Sequence, residues 1–171
     1  TTRLKDHAKM SAQAAFRTKI LFDTNQLLQR AKSEEEILSQ TASQLMKLLN
    51  RSLIVYPEQN GDLGSEQVFS VDGETAQNIF SAPEERDAAN WTFANKKRSG
   101  AGTDSYPDAK GLYLALRTGG GVFGVVGIDL SEKPLDAFEN SVLLSILGEG
   151  ALAIENRRNA LEKEQATVQA K

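Results

Sequence analysis

Apolar residues recur at steps of three and four near the start of the chain, and this spacing predicts a long amphipathic helix over residues 4–30. A second helix is predicted directly after it, because Ser33 and Glu36 form an S-x-x-E capping box ahead of a new apolar run. The acidic triplet 34–36 suits the positive first turn of a helix, so we interpret it as a helix start rather than a cation site.

The spacing then changes to alternation, which is typical of strands. SLIVYP and QVFSV flank an Asn60-Gly61 turn and are predicted to form a hairpin. A third helix is predicted from a second capping box, Ser81 with Glu84, and Pro83 suits its first turn. The glycine-, serine- and proline-rich segment 99–107 is predicted to be a loop.

Three consecutive glycines lie between two apolar runs in GLYLALRTGGGVFGVVGIDL, residues 111–130. Gly119, Gly121 and Gly124 match the G-x-G-x-x-G spacing of dinucleotide-binding loops. Such a loop must lead into a helix whose N-terminal amides meet the phosphate, whereas this one leads into a second alternating run. The sequence therefore predicts an antiparallel hairpin, in which glycine supplies the positive φ of the turn.

A helical pattern occupies the last part of the chain, from Pro134 to Val168, and would be about 52 Å long. A compact chain of this size has a diameter of about 40 Å, so the last turns are expected to protrude. Four apolar residues of this helix are spaced seven apart, as in a coiled-coil seam. We predict that these four form a dimer interface: Leu147, Ile154, Leu161 and Val168.

The composition excludes several kinds of chemistry. The 171 residues suit one domain, and a net charge of −3 gives no basic field for nucleic acid. With no cysteine and a single histidine, His7, neither a metal site nor a cofactor is predicted. Asp104, Ser105 and Asp108 lie close in sequence, but His7 is on the first helix, so no catalytic residue is predicted. No run approaches the roughly 18 apolar residues of a membrane span, and no direct membrane contact is expected.

The order of these elements resembles that of GAF and PAS-like sensor domains, and VFGVVGIDL followed by SEKPLDAFENSVLLSILGEGALAIEN resembles the C-terminal half of GAF domains. More narrowly, QLMKLLNRSLIVYP, WTFANKKRSGAGTDSYPDAKGLYLAL and NALEKEQ are similar to the GAF region of the KdpD family of potassium-responsive sensor histidine kinases. The resemblance covers nearly the whole chain. Ala115 stands where such domains usually carry proline, and we expect a local change in strand geometry there.

The resemblance implies an α+β, GAF/PAS-like fold, with a central antiparallel sheet of about five strands and long N- and C-terminal helices packed on one face. It also implies three parts: an N-terminal signalling helix (1–32), the GAF domain (33–155), and a helical extension toward a dimerisation and phosphoacceptor domain (156–171). The chain lacks the phosphoacceptor and ATP-binding motifs of the kinase, so no enzymatic activity is expected of it.

The function implied is that of a regulatory, sensory and dimerisation module in a two-component sensor kinase that responds to potassium limitation or osmotic stress. We expect a homodimer that transmits signals through paired terminal helices, in the cytoplasmic part of an inner-membrane protein. ATP and a response regulator would act on other domains of that protein.

The alternative is a small-ligand site between the sheet and the segment 81–107. Its predicted lining consists of Trp91, Asn95, Arg98, Thr103, Asp104 and Tyr113. The interpretation we favour over a ligand site is that Trp91 belongs to the core and that the polar groups of the loop cap one another. The chain has no cysteine for attaching a bilin, and its single histidine suits haem poorly.

Overall fold

The computed structural model describes residues 2–169; Thr1, Ala170 and Lys171, the outermost residues of the two predicted terminal segments, lie outside the described residues. The arrangement is α+β, as predicted, with helices and strands that follow one another in groups along the chain. In chain order the elements are α1 (Thr2–Arg30), α2 (Glu34–Leu49), β1 (Leu53–Gln59), β2 (Asp62–Leu63), β3 (Gln67–Phe69), α3 (Glu74–Phe80), α4 (Pro83–Asn95), β4 (Ser99–Gly100), β5 (Gly111–Thr118), β6 (Gly121–Asp129) and α5 (Ala137–Gln169).

The strands form one antiparallel sheet in the order β2-β1-β6-β5-β4, and β3 pairs with β1 as well. The predicted hairpin around Asn60-Gly61 is present as β1, β2 and β3. The glycine-rich stretch is the hairpin of β5 and β6, in which Thr118 pairs with Gly121. Of its three consecutive glycines, Gly121 has a positive φ, 149°. The prediction of a hairpin instead of a phosphate loop is thus confirmed.

A β-bulge interrupts the pairing of β5 with β6. Leu116 pairs with Gly124 and Arg117 pairs with Val122, so that Phe123 is an extra residue on β6. The bulge places the ring of Phe123 on the same side of the sheet as Leu116. The strict alternation predicted for β6 therefore fails at Phe123. The change in strand geometry expected at Ala115 is not seen at that residue, which pairs in regular register with Val125.

The long helices α1, α2 and α5 cover one face of the sheet, as predicted. Alternate residues of the central strands point toward them and are almost fully buried. The sheet supplies Leu53, Val55, Leu112, Leu114, Leu116, Val126 and Ile128, and the helices supply residues that include Leu28, Ile37, Leu45, Leu143, Ile146 and Ile154. This cluster is the larger of the two apolar clusters of the domain.

The shorter helices α3 and α4 cover the opposite face. The intervening residues of the same strands point this way and pack against the two helices. The cluster consists of Ile54, Tyr56, Leu63, Ala76, Phe80, Ala88, Ala89, Ala109, Tyr113 and Val125. The sequence did not indicate α3, which is only 7 residues long.

The helix starts agree with the sequence in one case and differ in another. Ser33 caps α2, its hydroxyl accepting a hydrogen bond from the Glu36 amide at 3.1 Å. The predicted capping box of Ser81 with Glu84 is wrong. Ser81 ends α3, its hydroxyl donating to the Asn78 carbonyl at 3.1 Å, and α4 begins after Ala82 without a side-chain cap.

The last helix begins three residues later than Pro134, at Ala137, because a different capping box sets its start. The Glu139 amide donates to the Asp136 carboxylate at 2.7 Å, and the Asp136 amide donates to the Glu139 carboxylate at 3.1 Å. Among the described residues, α5 is also the one helix long and apolar enough to span a membrane by length and composition. A core helix meets the same criterion, and Leu143 and Ile146 of α5 are fully buried in the core.

Candidate functional site

The residues predicted to bind a ligand lie in two different places. Arg98 and Thr103 line an open depression beside the start of α5, where Arg98 donates to the Asn140 side chain at 3.0 Å. Tyr113 lies on the α4 side of the sheet and is completely buried. The structure therefore brings Arg98 and Thr103 together and separates them from Tyr113.

The other predicted ligand residues make local contacts. Trp91 is half-buried on α4, and the exposed Asn95 side chain donates to the Trp91 carbonyl at 2.9 Å. The Thr103 hydroxyl oxygen lies 2.8 Å from the carbonyl oxygens of both Gly100 and Ser105, where its one proton can be donated to either, and Asp104 is exposed. A ligand-binding role for these six residues stays a prediction.

The α4 side of the sheet contains a polar site that the sequence did not indicate. Glu85, in the first turn of α4, is 2% exposed. Its carboxylate accepts hydrogen bonds from the amides of Lys110 and Gly111, both at 3.0 Å, and from the Tyr113 hydroxyl at 2.7 Å. Burial, and then the adjacent Glu85 carboxylate, raise the pKa of Tyr113 well above its ordinary value, so the hydroxyl keeps its proton and donates.

Glycine makes room for the Tyr113 ring. A Cβ on Gly111 would lie 2.9 Å from the Tyr113 hydroxyl oxygen, and a Cβ on Gly127 would lie 2.8 Å from Cδ1 of the ring and 2.7 Å from the Ile54 Cγ2. The ring therefore lies flat across the two central strands, with its hydroxyl directed at Glu85.

The predicted dimer seam divides into two halves. Leu147 and Ile154 are 4% and 1% exposed and belong to the core of their own domain. Leu161 and Val168 are 44% and 68% exposed, on the part of α5 that extends past the sheet. The apolar stripe thus continues from the core onto the free end of the helix.

Arg158 lies where α5 leaves the domain and connects it to two other elements. Its guanidinium donates to both oxygens of Glu34, at 2.5 and 3.2 Å, and to Glu58 at 2.8 Å. It also lies over the Phe123 ring, 5.0 Å from the centroid. The hydrogen bonds that Arg158 donates to Glu34, opposed by burial, raise the pKa of Arg158, which stays charged. We call Arg158, Glu34, Glu58 and Phe123 the exit cluster.

A second contact holds the same part of α5. The Thr118 hydroxyl, at the tip of the β5–β6 hairpin, donates to the Glu155 carboxylate, and the Gly120 amide donates to the Thr118 hydroxyl at 3.0 Å. The hairpin tip is therefore tied to α5 one turn before Arg158.

The beginning of α5 is held by Arg51, which is 7% exposed and lies two residues before the start of β1. Its guanidinium pairs with Glu139 at 3.2 Å and donates to the carbonyls of Asp129, Lys133 and Pro134 at 3.1, 2.7 and 3.0 Å. Since Glu58 lies near the end of β1, the two ends of this strand hold α5 at two points.

The first and last helices lie side by side and run parallel. Arg17 donates to Ser141 at 2.7 Å, and Asn25 donates to Glu149 at 3.0 Å, so the second pair lies eight residues beyond the first on both helices. Residues 2–12 of α1 and residues 159–168 of α5 are almost entirely exposed. The free ends of the two helices consequently extend from opposite ends of the domain, by about 15 Å each.

The fold defined by this arrangement is that of a GAF domain. The chain superposes on the GAF domain of the potassium sensor histidine kinase KdpD from Escherichia coli with a TM-score of 0.63, at 20% identity, over 88% of this chain and 99% of that one. It also superposes on the GAF domain of an Acinetobacter phosphoenolpyruvate-protein phosphotransferase, with a TM-score of 0.58, at 11% identity, over 84% and 95% of the two chains. The GAF-like fold predicted from the sequence is confirmed.

Along the sequence, the chain is 28% identical over 170 residues to the sensor protein KdpD of Clostridium acetobutylicum. The match covers 99% of this chain and 19% of that relative, so the chain spans about a fifth of its length. No protein-family model matches the chain. The resemblance to the GAF region of KdpD-type sensor kinases is confirmed, and the chain is similar to a regulatory domain of such a kinase.

Proposed function

We propose that the chain is a relay module of a KdpD-type sensor kinase, which passes conformational signals from α1 to α5 within a homodimer. The observation that supports this role is the parallel, in-register pairing of α1 and α5, whose free ends extend from opposite ends of the domain. A displacement of α1 along its axis acts directly on α5 through the contacts of Arg17 with Ser141 and of Asn25 with Glu149.

The free ends require a partner for full stability. Isolated helices shorter than about 12–15 residues are marginal in water and are stabilised mainly by packing an apolar stripe. Leu161 and Val168 provide such a stripe on the end of α5, at heptad spacing. A second copy of the chain, arranged in parallel, covers it with the same residues.

The signal is proposed from the relatives. The Escherichia coli structure is the GAF domain of a potassium sensor histidine kinase, and the chain shares the fold of that domain. We propose potassium limitation or osmotic stress as the stimulus, with the N-terminal segment 1–32 as the input, residues 33–155 as the GAF domain and 156–171 as the output. In the parent protein this domain lies on the cytoplasmic side of the inner membrane, and other domains bind ATP and the response regulator.

The packing on the α4 side of the sheet supports a relay more than a ligand sensor. Tyr56, Phe80 and Tyr113 fill the space between the sheet and the two short helices. The Glu85 carboxylate accepts hydrogen bonds from the polar groups on this face, which are the amides of Lys110 and Gly111 and the hydroxyl of Tyr113. The chain's own side chains thus satisfy both the apolar and the polar requirements of this face.

Disulfide crosslinking of introduced cysteines tests the dimer, and since the chain contains no native cysteine, only the introduced residues can react. Leu161→Cys and Val168→Cys variants are expected to form disulfide-linked dimers rapidly under mild oxidation. Lys163→Cys, which is equally exposed but lies roughly opposite on the helix, is the control and is expected to crosslink slowly. Equal crosslinking at all three positions, or a monomer by analytical ultracentrifugation at tens of micromolar, contradicts the proposal.

A further inference from the structure

We infer that Glu85 is an intramolecular ligand: its carboxylate occupies a carboxylate-binding nest formed by the amides of Lys110 and Gly111 and the hydroxyl of Tyr113, and so holds α4 and the loop between β4 and β5 closed on the sheet.

The donor arrangement fits a carboxylate. Two consecutive backbone amides converge on it, one on each oxygen: Lys110 donates to Oε2 and Gly111 donates to Oε1, both at 3.0 Å. The Tyr113 hydroxyl adds a third bond to Oε1 at 2.7 Å. Successive backbone amides form anion-binding concavities in proteins, and a planar group with two oxygens matches this one.

The nest relies on neutral donors. Within residues 2–169, the recorded hydrogen bonds and ion pairs of Glu85 include none from a lysine or arginine side chain. A carboxylate buried in this way is stabilised by hydrogen bonds to its charged form, each of which is stronger than a bond between neutral groups. Removing the carboxylate leaves three donors directed into a buried space without an acceptor.

The contact joins three parts of the domain. Glu85 belongs to the first turn of α4, Lys110 ends the loop that follows β4, and Tyr113 lies near the start of β5. The same loop is held to β5 by the Ala101 amide, which donates to the Gly111 carbonyl at 2.9 Å. The carboxylate therefore links the first turn of α4 to the end of the loop and to β5, and its release is expected to loosen the first turn of α4 and the end of the loop together.

Chemical rescue tests this assignment. The Glu85→Ala variant is expected to have a lower melting temperature than the parent chain, and sodium formate is expected to restore part of the loss in a saturable manner. The matched control is Glu84→Ala, which removes the exposed neighbouring carboxylate, and neither it nor the parent chain is expected to respond to formate. Formamide and sodium chloride serve as the neutral and ionic controls. A formate effect of equal size in all three proteins, or one reproduced by either control, overturns the inference.

A second measurement applies even where Glu85→Ala does not fold. Glu85→Gln keeps the shape of the side chain but loses its charge and one acceptor oxygen. The amides of Lys110 and Gly111 are expected to exchange hydrogen roughly tenfold faster in this variant, as loss of a charge-assisted hydrogen bond implies. Tyr113→Phe, which removes one donor and leaves the carboxylate in place, is expected to leave both amides protected. Unchanged exchange in Glu85→Gln overturns the inference.

Discussion

Replacing Arg158 by methionine is expected to loosen the end of α5 without unfolding the domain. Methionine keeps an unbranched apolar side chain over Phe123 and removes the guanidinium. The variant therefore separates the electrostatic part of the exit cluster from its packing.

The expected loss of unfolding free energy follows from three contacts. The ion pairs with Glu34 and Glu58 involve side chains that are 32%, 35% and 15% exposed, so solvent screens them in part. Pairs of this kind contribute about 0.5–1 kcal/mol each, and the cation–π contact with Phe123 contributes a similar amount. The total is about 1.5–3 kcal/mol, and most of it is expected in the local opening of α5.

Urea unfolding gives the global free energy, and hydrogen exchange of the amides of residues 155–165 gives the local one. The control is Arg157→Met, since no ion pair of Arg157 is recorded among the described residues; it is expected to change the free energy by less than about 0.5 kcal/mol. Equal effects of the two substitutions would show that the ion pairs of Arg158 do not hold the end of α5 in place.

The same contact has a defined pH dependence. Burial acts to raise the pKa of Glu58, but hydrogen bonds from the Gly61 amide and from Arg158 outweigh it and lower the pKa below its ordinary value. A lowered carboxylate pKa contributes stability above the unfolded pKa, and this is lost as the pH falls through the folded value. The difference between the parent chain and Arg158→Met is accordingly expected to shrink in acid; a constant difference down to pH 3 contradicts the assignment.

Three further results are expected. Gly127→Ala should lower the unfolding free energy by about 1–3 kcal/mol, because the new Cβ would lie 2.7 Å from the Ile54 Cγ2 and 2.8 Å from Cδ1 of the Tyr113 ring. Chemical denaturation measures this loss, and a neutral effect would show that the Tyr113 ring is free to move. Burial, and then Glu66, raise the pKa of Tyr56 to about 12, so the stability of the folded chain should fall as the pH rises from about 10 toward 12. Thermal melts at alkaline pH can follow this fall. If every tyrosine of the folded protein showed tyrosinate absorbance near pH 10, the raised pKa of Tyr56 would be contradicted. Asp136→Ala should cost about 1 kcal/mol through loss of the cap on α5, and Asp136→Asn should cost much less; equal costs would place the effect outside the cap.

The sequence was sufficient for most of the fold because the deciding signals are local. Leu112, Leu114 and Leu116 alternate along β5, and the glycines after them lead into a second alternating run, which together define a hairpin. The error at Ser81 has a local cause too. Serine followed three residues later by glutamate occurs here at the end of a short helix, α3, whose last turn uses the serine hydroxyl.

The candidate site was less accessible to sequence reasoning, because its contacts join distant parts of the chain. Glu85 stands in the first turn of a helix, where an acidic residue is usually solvated, and its donors lie 25, 26 and 28 residues further on. The seam shows a different limit. Heptad spacing predicts that Leu147 and Leu161 lie on the same apolar stripe of α5, but it does not predict whether each of them is buried by its own domain or by a partner.

The bulge at Phe123 has a consequence for how the direction of α5 could diverge among relatives. Deleting Phe123 would restore regular pairing between β5 and β6, and it would remove the aromatic ring that the Arg158 guanidinium contacts. A single insertion or deletion in a short hairpin can thereby re-aim a helix whose own sequence is unchanged. The direction of the end of α5 thus depends on an irregularity in a neighbouring strand as well as on the sequence of the helix itself.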